Sequence, residues 1–296
     1  MLLAAIDIGS NAVRLLFSNV IERNGVPVAD KASLVRIPVR LGEDVFTSGS
    51  ISPAREENLL KTLTAFKLLI DVYKPIAYRA CATAAMREAA NSEHIIRRIL
   101  DETGLTVRII DGIEEAAIVS AVNNINVGRQ YKYKMYIDVG GGSTEISMTR
   151  DHQVVRSESF RIGTIRIREQ MTDEKEWQRM KEWLKPLKDE EGKIYCVGSG
   201  GNINKIAKLY AKSEAGMIFY RELEQAYDEL SRVSVDYRIA QLGMRPDRAD
   251  VIVEATEIFM KIMKWGSLEF AAVPKIGLPD GLVHMMYREI MLGTGS

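Results

Sequence analysis

The 296-residue chain has few of the residues that mark extracellular, metal-cluster or membrane proteins. Its two cysteines, Cys81 and Cys196, each lie in an apolar run, which predicts buried reduced thiols. Its three histidines show no metal-ligand spacing. No apolar run approaches the ~20 residues of a membrane span, and the apolar residues before Asp7 are too few for a secretory signal. These absences predict a cytoplasmic protein without a membrane partner.

The chain also lacks a net charge, since 40 Lys and Arg residues balance 40 Asp and Glu residues. No overall field attracts nucleic acid, so we expect no nucleic-acid partner and look for polyanion binding in local groups. The remaining composition, 46% hydrophobic and 27% charged, is typical of a globular protein, and the length allows two domains.

What the sequence does contain is one short pattern that occurs twice. The first copy reads IDIGSN over residues 6–11, and the second reads IDVGGGST over residues 137–144. Each copy has an apolar run, an aspartate and a glycine-bearing turn, followed by a second alternating run. Glycine lets backbone N–H groups approach an anion closely, and the aspartate can hold a cation. The two copies therefore predict a phosphate group bound from both sides.

Neither copy matches a common nucleotide-binding loop. No Gly-x-x-x-x-Gly-Lys-Ser/Thr sequence occurs, which excludes a Walker loop. The alternation after each turn is typical of a strand, which disfavours a dinucleotide-binding helix. Three consecutive glycines at 140–142 are entropically unfavourable as a mere connection, which favours a functional role.

Hairpin groups of strands followed by alternating helices and strands occur in both halves and predict two similar α/β domains. We place these domains at 1–125 and 126–279, with a helix at about 280–296 packing back on the first. One long helix is predicted from Pro246 or Asp247 to Gly266, and Asp173 with Glu176 predicts a capping box. The predicted strands are 2–8, 13–20, 31–39, 76–81, 107–111, 135–139, 145–150, 153–162 and 194–197.

Four charged residues are further candidates for phosphate chemistry. Glu114 and Glu115 begin a helix predicted at 113–123, where a carboxylate could activate water or simply stabilise the helix dipole. Their spacing does not choose between these roles. Arg87 and Arg166 follow small residues, and a guanidinium suits phosphate oxygens. Taken singly, each arginine is better explained by a surface ion pair. The glycine cluster at 198–201 precedes a helix whose first N–H groups could bind an anion.

Together these segments resemble one family, the exopolyphosphatase / guanosine pentaphosphate phosphohydrolase (Ppx/GppA) family, in its short two-domain form. The resemblance implies an α/β fold of two actin-like (ribonuclease H-like) domains with the active-site cleft between them. The similar segments are, in order, residues 6–15, 82–91, 112–116, 138–145, 163–166, 198–202 and 278–282.

The resemblance implies a hydrolase that removes terminal phosphate from linear polyphosphate or guanosine pentaphosphate with Mg²⁺. It implies that Glu115 activates the attacking water, and that Asp7, Asp138 and Glu145 hold the metal. A homodimer is also expected on this basis. The implied phosphate-binding residues are Gly9, Ser10, Asn11, Arg14, Arg87, Gly140, Gly141, Gly142, Ser143, Thr144 and Arg166.

The chain departs from the family pattern at two places that concern substrate choice rather than chemistry. Asn202 stands where threonine is expected, and residues 279–281 read Pro-Asp-Gly instead of Arg-Glu-Gly. Two other functions stay open: an ATP-dependent small-molecule kinase of the same fold, and a non-catalytic sensor of polyphosphate or guanosine polyphosphates. The glutamate pair favours water over a kinase acceptor, and the intact acids Glu115, Asp138 and Glu145 argue against a dead enzyme.

Overall fold

The computed structural model of the protein describes residues 1–23, 26–122, 130–151, 153–190, 194–213 and 216–293. The chain divides into two compact units, which we call the first and the second unit. The first unit is formed by Met1–Asn123 with Leu278–Ser296, and the second by Asn124–Gly277. The domain boundary predicted at 125/126 lies outside the described residues.

The first unit is built on a five-stranded mixed sheet. Its strands are β1 (Leu2–Ile8), β2 (Val13–Arg23), β3 (Val26–Ile37), β4 (Ala77–Ala82) and β5 (Val107–Ile109). Its helices are α1 (Leu41–Ser48), α2 (Pro53–Tyr73), α3 (Ala84–Glu88), α4 (Ser92–Thr103), α5 (Gly112–Ala121) and, from the end of the chain, α13 (Leu278–Leu292). The strand order is β3-β2-β1-β4-β5, with β1 to β3 antiparallel and β4 and β5 parallel to β1.

The second unit is built on a six-stranded mixed sheet. Its strands are β6 (Tyr133–Val139), β7 (Thr144–Arg150), β8 (Gln153–Phe160), β9 (Ile194–Ser199), β10 (Met217–Phe219) and β11 (Phe270–Ala272). Its α-helices are α6 (Thr164–Arg168), α7 (Glu174–Leu184), α8 (Gly201–Tyr210), α9 (Tyr220–Arg232), α10 (Val235–Ala240), α11 (Pro246–Ala249) and α12 (Ile252–Gly266), and a 3₁₀ helix spans Lys185–Glu190. The strand order is β10-β11-β9-β6-β7-β8.

The two sheets repeat one topology. In the second sheet, β6, β7 and β8 form an antiparallel series, and β9 and β11 continue it as parallel neighbours. Strands β1, β2, β3, β4 and β5 have the same order and directions in the first sheet. The predicted mixed α/β class is therefore confirmed, and the duplicated pattern occupies the same place in each sheet, between the first two strands.

Apolar faces explain why the helices pack on these sheets. In the first unit, Leu16 of β2 and Ile118 of α5 share one core with Leu282 and Met286 of α13. On the opposite face, the ring of Phe17 stacks on Tyr73 of α2 with centroids 4.2 Å apart. In the second unit, the side chains of α7, α8, α9 and α12 form one large core against the sheet. Among the described residues, no helix is long and apolar enough to span a membrane.

Several elements differ from the sequence prediction. Strand β3 spans 26–37 instead of the predicted 31–39, strands β5 and β8 each end two residues early, and α9 was not predicted. Two helix termini also differ. The helix predicted to run unbroken to Gly266 is interrupted between α11 and α12, where Val251 leaves the helical region with φ −130°. The carbonyl of Ala249, the last residue of α11, accepts from Arg238 Nη1 at 2.7 Å. A side chain thus satisfies this carbonyl at the break between the two helices. The predicted capping box is also replaced. Asp173 accepts from the N–H of Lys175 at 2.9 Å, while the Glu176 carboxylate accepts from the N–H of Arg161 at 3.0 Å.

Candidate functional site

The first glycine-bearing loop joins β1 to β2 and brings two predicted site residues together. The N–H of Gly9 donates to the carbonyl of Ala12 at 3.1 Å, which closes a tight turn. Asp7 and Arg14 face each other across the two antiparallel strands and form an ion pair. Asp7 is only 4% exposed. The first loop therefore places a buried acid and an arginine side by side.

Helix α1, which the sequence pattern did not predict, supports this loop. The carbonyl of Ser10 accepts from the N–H of Gly42 at 2.8 Å, and the carbonyl of Asn11 accepts from the N–H of Arg40 at 3.0 Å. The Arg40 side chain donates to Glu43, which also pairs with Arg55 of α2. The loop carbonyls are thus turned toward α1, and an ion-pair network fixes α1 in turn to α2.

The second loop joins β6 to β7 with the same geometry and a different charge pair. The N–H of Gly140 donates to the carbonyl of Ser143 at 2.9 Å. Asp138 and Glu145 are direct cross-strand partners, and side chains in such a pair have Cβ atoms about 4.5–5.5 Å apart. Glu145 is 2% exposed, and its Oε1 accepts from Ser159 Oγ at 2.8 Å. Where the first loop pairs an acid with an arginine, the second pairs two acids.

The segment before and within α6 holds the second loop from behind. The N–H groups of Thr164 and Ile165 donate to the carbonyls of Gly140 and Gly141 at 3.1 and 2.9 Å. The buried Arg166 donates from Nε to the carbonyl of Gly142 at 2.6 Å. Arg166, a predicted phosphate-binding residue, therefore has an observed role in shaping the loop.

The loop carbonyls point toward α6 and leave the loop amides for another partner. Within the described part of the chain, the N–H groups of Gly141, Gly142 and Ser143 donate to no protein acceptor. Consecutive backbone N–H groups of this kind form a concave site for an anion. The hydrogen-bond pattern leaves these amides available to an anion, and the anion-binding role of the turn stays a prediction.

A third glycine segment lies against the second loop and introduces a residue that the sequence analysis missed. Gly200 has φ +101°, a conformation that favours glycine, and a Cβ there would lie 3.1 Å from Asp138 Oδ1. A Cβ on Gly201, the first residue of α8, would lie 2.7 Å from Arg248 Nη2. Arg248 therefore lies beside a helix N-terminus, which itself favours anions. Arg248 belongs to a short charged stretch, 245–250, which in the sequence looks like an ordinary solvent-exposed segment.

The structure distinguishes the two glutamates at the start of α5. Glu114 forms an ion pair with Arg108 on the surface, and this bond raises the pKa of Arg108. Its N–H donates to Asp111 Oδ1 at 2.8 Å, so Asp111 caps the helix. Glu115 is half-buried, and its Oε2 atom is inaccessible to solvent. Glu114 thus forms an ordinary surface ion pair, whereas Glu115 points one carboxylate oxygen into the protein interior.

Arg87 of α3 is tied to the same helix. Its Nη1 donates to the carbonyl of Ile110 at 2.8 Å, directly before the Asp111 cap of α5. This contact fixes the point from which α5 starts. The phosphate-binding role of Arg87 stays a prediction, and its observed contact is with the backbone that carries Glu115.

The acids of the second loop have the chemistry that Mg²⁺ prefers. Within the described ranges, no group of three or more His, Cys, Asp or Glu side chains is placed to hold a metal. Mg²⁺ is usually bound by one or two carboxylates together with substrate phosphates and water. The cross-strand pair Asp138 and Glu145 fits that donor set. Asp7 faces a guanidinium instead.

The fold and these loops define a class of protein. It is a duplicated α/β protein in which the same loop, with a glycine-bearing turn and a carboxylate, joins the first two strands of each sheet. Loops of this kind can bind phosphate through their backbone amides. The comparison with known families is more specific. The model of the Ppx/GppA phosphatase family matches residues 33–289, and the chain belongs to that family. It is accordingly an enzyme of a phosphatase family.

Individual relatives agree with this assignment. The chain is 27% identical to Exopolyphosphatase 1 of Mycobacterium leprae, over 96% of this chain and 88% of that protein. It is 28% identical to a bifunctional 3-dehydroquinate synthase/phosphatase of Fusobacterium nucleatum, over 91% of this chain but only 44% of that protein. The chain thus spans less than half of the Fusobacterium relative and most of the mycobacterial one.

Solved structures give the same result for the fold. The Ppx/GppA family member of Aquifex aeolicus matches with TM-score 0.75 at 26% identity and covers all of this chain and 99% of its own. An exopolyphosphatase of Cytophaga hutchinsonii matches with TM-score 0.83 at 22% identity, over 97% of this chain and 98% of its own. Ppx/GppA structures have an actin-like two-domain fold, so the predicted fold class is confirmed.

Proposed function

We propose that the protein is an exopolyphosphatase-type phosphohydrolase that removes the terminal phosphate from linear polyphosphate or guanosine pentaphosphate. The observation that carries the proposal is the unequal use of the glutamate pair. Glu114 forms a surface ion pair with Arg108, whereas Glu115 turns one carboxylate oxygen into the protein interior. The name of a similar protein, Exopolyphosphatase 1 of Mycobacterium leprae, supports the same reaction class.

The loops would bind the phosphates through backbone amides and guanidinium groups. We assign this role to the N–H groups of Gly141, Gly142 and Ser143 and to the guanidinium groups of Arg14 and Arg248. Phosphoryl transfer is accelerated mainly by positioning and by neutralising charge on the transferred group. Amides already oriented by the α6 segment would supply that charge stabilisation without reorganising during the reaction.

Asp138 and Glu145 are the residues that would hold Mg²⁺. The ion supplies charge neutralisation at phosphate oxygens when it is bound. Ser159 orients the Glu145 carboxylate through its hydroxyl, so that residue is a candidate for tuning the site. Asp7, which the resemblance also assigns to the metal, would act here together with Arg14.

Glu115 would orient the attacking water and accept its proton on a carboxylate oxygen. The water oxygen forms the new bond to the terminal phosphorus, and the bridging oxygen leaves with the shortened chain. A base placed for such a transfer contributes about 10²–10⁴-fold to the rate. The Asp111 cap and the bond from Arg87 to the Ile110 carbonyl hold the start of α5 in place. Glu115 lies in this first turn of the helix.

A phosphate-release panel tests this function. Tripolyphosphate, long-chain polyphosphate, guanosine pentaphosphate, pyrophosphate and ATP are each incubated with the protein and Mg²⁺, with EDTA as the matched control. We expect release from the linear polyphosphates or guanosine pentaphosphate without any acceptor, and loss of release with EDTA. Phosphate transfer only from ATP to an acceptor would establish the kinase alternative. Tight binding without release would establish the sensor.

We also propose that the protein is a cytoplasmic homodimer, as the family resemblance and composition suggest. The chain mass is 33.2 kDa, so light scattering after size-exclusion chromatography distinguishes a monomer of that mass from a dimer of twice the mass. A monomer mass at micromolar concentration would contradict the dimer.

A further inference from the structure

We propose that Gly281 is a positioning residue for Glu115, because the missing side chain at Gly281 allows α13 to pack against the backbone of α5. The inference rests on the proposed function of Glu115 as a base. Gly281 is the one residue of the Pro-Asp-Gly segment that keeps the expected Arg-Glu-Gly pattern.

The contact at Gly281 has no room for a methyl group. A Cβ on Gly281 would lie 2.5 Å from Ile118 Cγ2 and 2.9 Å from the carbonyl carbon of Ile118, and closer still to its carbonyl oxygen. Ordinary van der Waals contact begins at 3.4 Å. The carbonyl group is part of the α5 backbone and cannot rotate away as a side chain could. Any side chain at 281 must therefore push α13 and α5 apart.

This contact lies close to Glu115 along α5. Ile118 follows Glu115 by three residues, which is slightly less than one helical turn. Ile118 is 2% exposed and shares a core with Leu282 and Val283 of α13. A helix whose start is held by the Asp111 cap tilts about that end when its middle is displaced. Glu115 lies between the cap and Ile118, so a shift at Ile118 also moves the Glu115 carboxylate, by a smaller distance.

Helix α13 is itself fixed to the sheet near both ends. Near its start, Asp280 pairs with Lys31 of β3 at 2.8 Å. Near its end, both carboxylate oxygens of Glu289 accept from Arg79 of β4, at 2.7 and 3.1 Å. Bidentate pairs of this kind define direction as well as distance. Helix α13 is therefore anchored to the sheet, and its contact at Gly281 can hold α5 in position.

The size of the expected effect follows from the distances. Restoring contact from 2.5 to 3.4 Å requires a separation of about 0.9 Å. A displacement of about 1 Å in a catalytic group can lower the rate ~10²-fold. We expect Gly281→Ala to lower kcat about 10- to 100-fold and to leave KM within about threefold, since the substituted position touches α5 and not the phosphate loops.

A double-mutant cycle tests the inference with tripolyphosphate and Mg²⁺. Gly281→Ala is made in the parent chain and in Glu115→Gln, and Gly266→Ala is the matched control. Gly266 is a buried helical glycine whose added Cβ would meet flexible side chains, with Leu268 at 3.3 Å and Leu184 at the ordinary distance of 3.8 Å. If Gly281 acts through Glu115, its substitution lowers kcat in the parent and has less than about a twofold effect in Glu115→Gln. Equal losses in both backgrounds, or no loss in the parent, would overturn the proposal.

Two further measurements keep the test decisive. Should Gly281→Ala fail to fold, Asp280→Asn replaces it, because it weakens the anchor of α13 without adding volume to the core. Its effect on kcat must show the same dependence on Glu115, and an equal effect in both backgrounds would refute the inference.

If the parent chain releases no phosphate from any substrate, the proposed function fails, and hydrogen exchange then tests the contact alone. We expect Gly281→Ala to speed exchange of the α5 amides about tenfold and to leave those of α12 unchanged. Unchanged exchange in α5 would refute the contact's role.

Discussion

Gly163→Ala is the substitution whose effect on the second loop can be worked out most directly. A Cβ on Gly163 would lie 2.5 Å from the carbonyl carbons of Gly141 and Gly142, and closer still to the Gly141 oxygen. All three atoms are backbone, so no rotamer change relieves the overlap. Reaching ordinary contact at 3.4 Å requires the two segments to separate by about 0.9 Å.

The same separation breaks the hydrogen bonds that shape the loop. The bonds from Thr164 and Ile165 to the loop carbonyls measure 3.1 and 2.9 Å and would lengthen beyond bonding range. Each is worth about 0.5–1.5 kcal/mol, and the residual overpacking adds about 1–3 kcal/mol. We expect a loss of roughly 2–6 kcal/mol in the free energy of unfolding. Misplaced amides would lower kcat/KM about 10²-fold.

Thermal melting followed by circular dichroism and phosphate release from tripolyphosphate measure the two effects. A loss of 3 kcal/mol corresponds to a fall in Tm of about 6–12 °C for a unit of this size. Gly266→Ala, also in the second unit, is the matched control and should change neither quantity appreciably. A Gly163→Ala variant with parental Tm and kcat/KM would refute the argument that the α6 segment shapes the loop.

Three further predictions concern Arg248, the acid end of the pH range and the thiols. Arg248→Lys should lower kcat/KM about 10-fold or more in the phosphate-release assay, because a lysine lacks the planar fork that binds phosphate oxygens at two points; an unchanged value would remove Arg248 from the site. Hydrogen bonds from Arg79 hold the pKa of Glu289 below its usual 4.5, so this pair stabilises the fold above about pH 4.5 and the contribution is lost as pH falls through the lowered pKa. Glu289→Gln should therefore lower the free energy of unfolding at pH 7 by less than about 1 kcal/mol, since the pair is partly exposed, and its Tm should match that of the parent near pH 3. Burial raises the pKa of Cys81 to about 11 and that of Cys196 to about 12, so a thiol reagent at pH 8 should label both only after unfolding; rapid labelling of the folded chain would contradict this.

Local patterns predicted several of the long elements, although the 13-residue α9 was not predicted. Strand β1 has the predicted bounds 2–8, and α2 begins at Pro53 after the Ser52 cap, as expected from a side chain that accepts an N–H in the first turn. The short helices α1, α3 and α6 were not predicted, because 5 to 8 residues do not show a helical period. Two of them, α1 and α6, hold the loops. Two of the helices that support the site were therefore missed by the sequence patterns.

The site residues divide in a similar way. Asp138 and Glu145 could be paired from the repeat, since seven positions separate them across a tight turn. The different roles of Glu114 and Glu115 could not be predicted from the repeat. They depend on Arg108, which lies on the strand before the helix and pairs with Glu114 alone of the two. Arg248 comes near the loop only through the packing of α8 against the 245–250 segment. Long-range packing determines such contacts, and periodicity in one segment does not contain them.

Phosphate release by Glu115→Gln and Glu114→Gln, measured side by side with Mg²⁺ and the best substrate of the panel, tests the central claim most directly. The two variants make the same chemical change at adjacent positions, so the change in formal charge is matched. We predict a loss of at least ~10²-fold in kcat for Glu115→Gln, with substrate binding retained, and a change of less than about threefold for Glu114→Gln, whose exposed ion pair contributes little. Parental turnover by Glu115→Gln, or an equal loss in both variants, would contradict the assignment of Glu115 as the base.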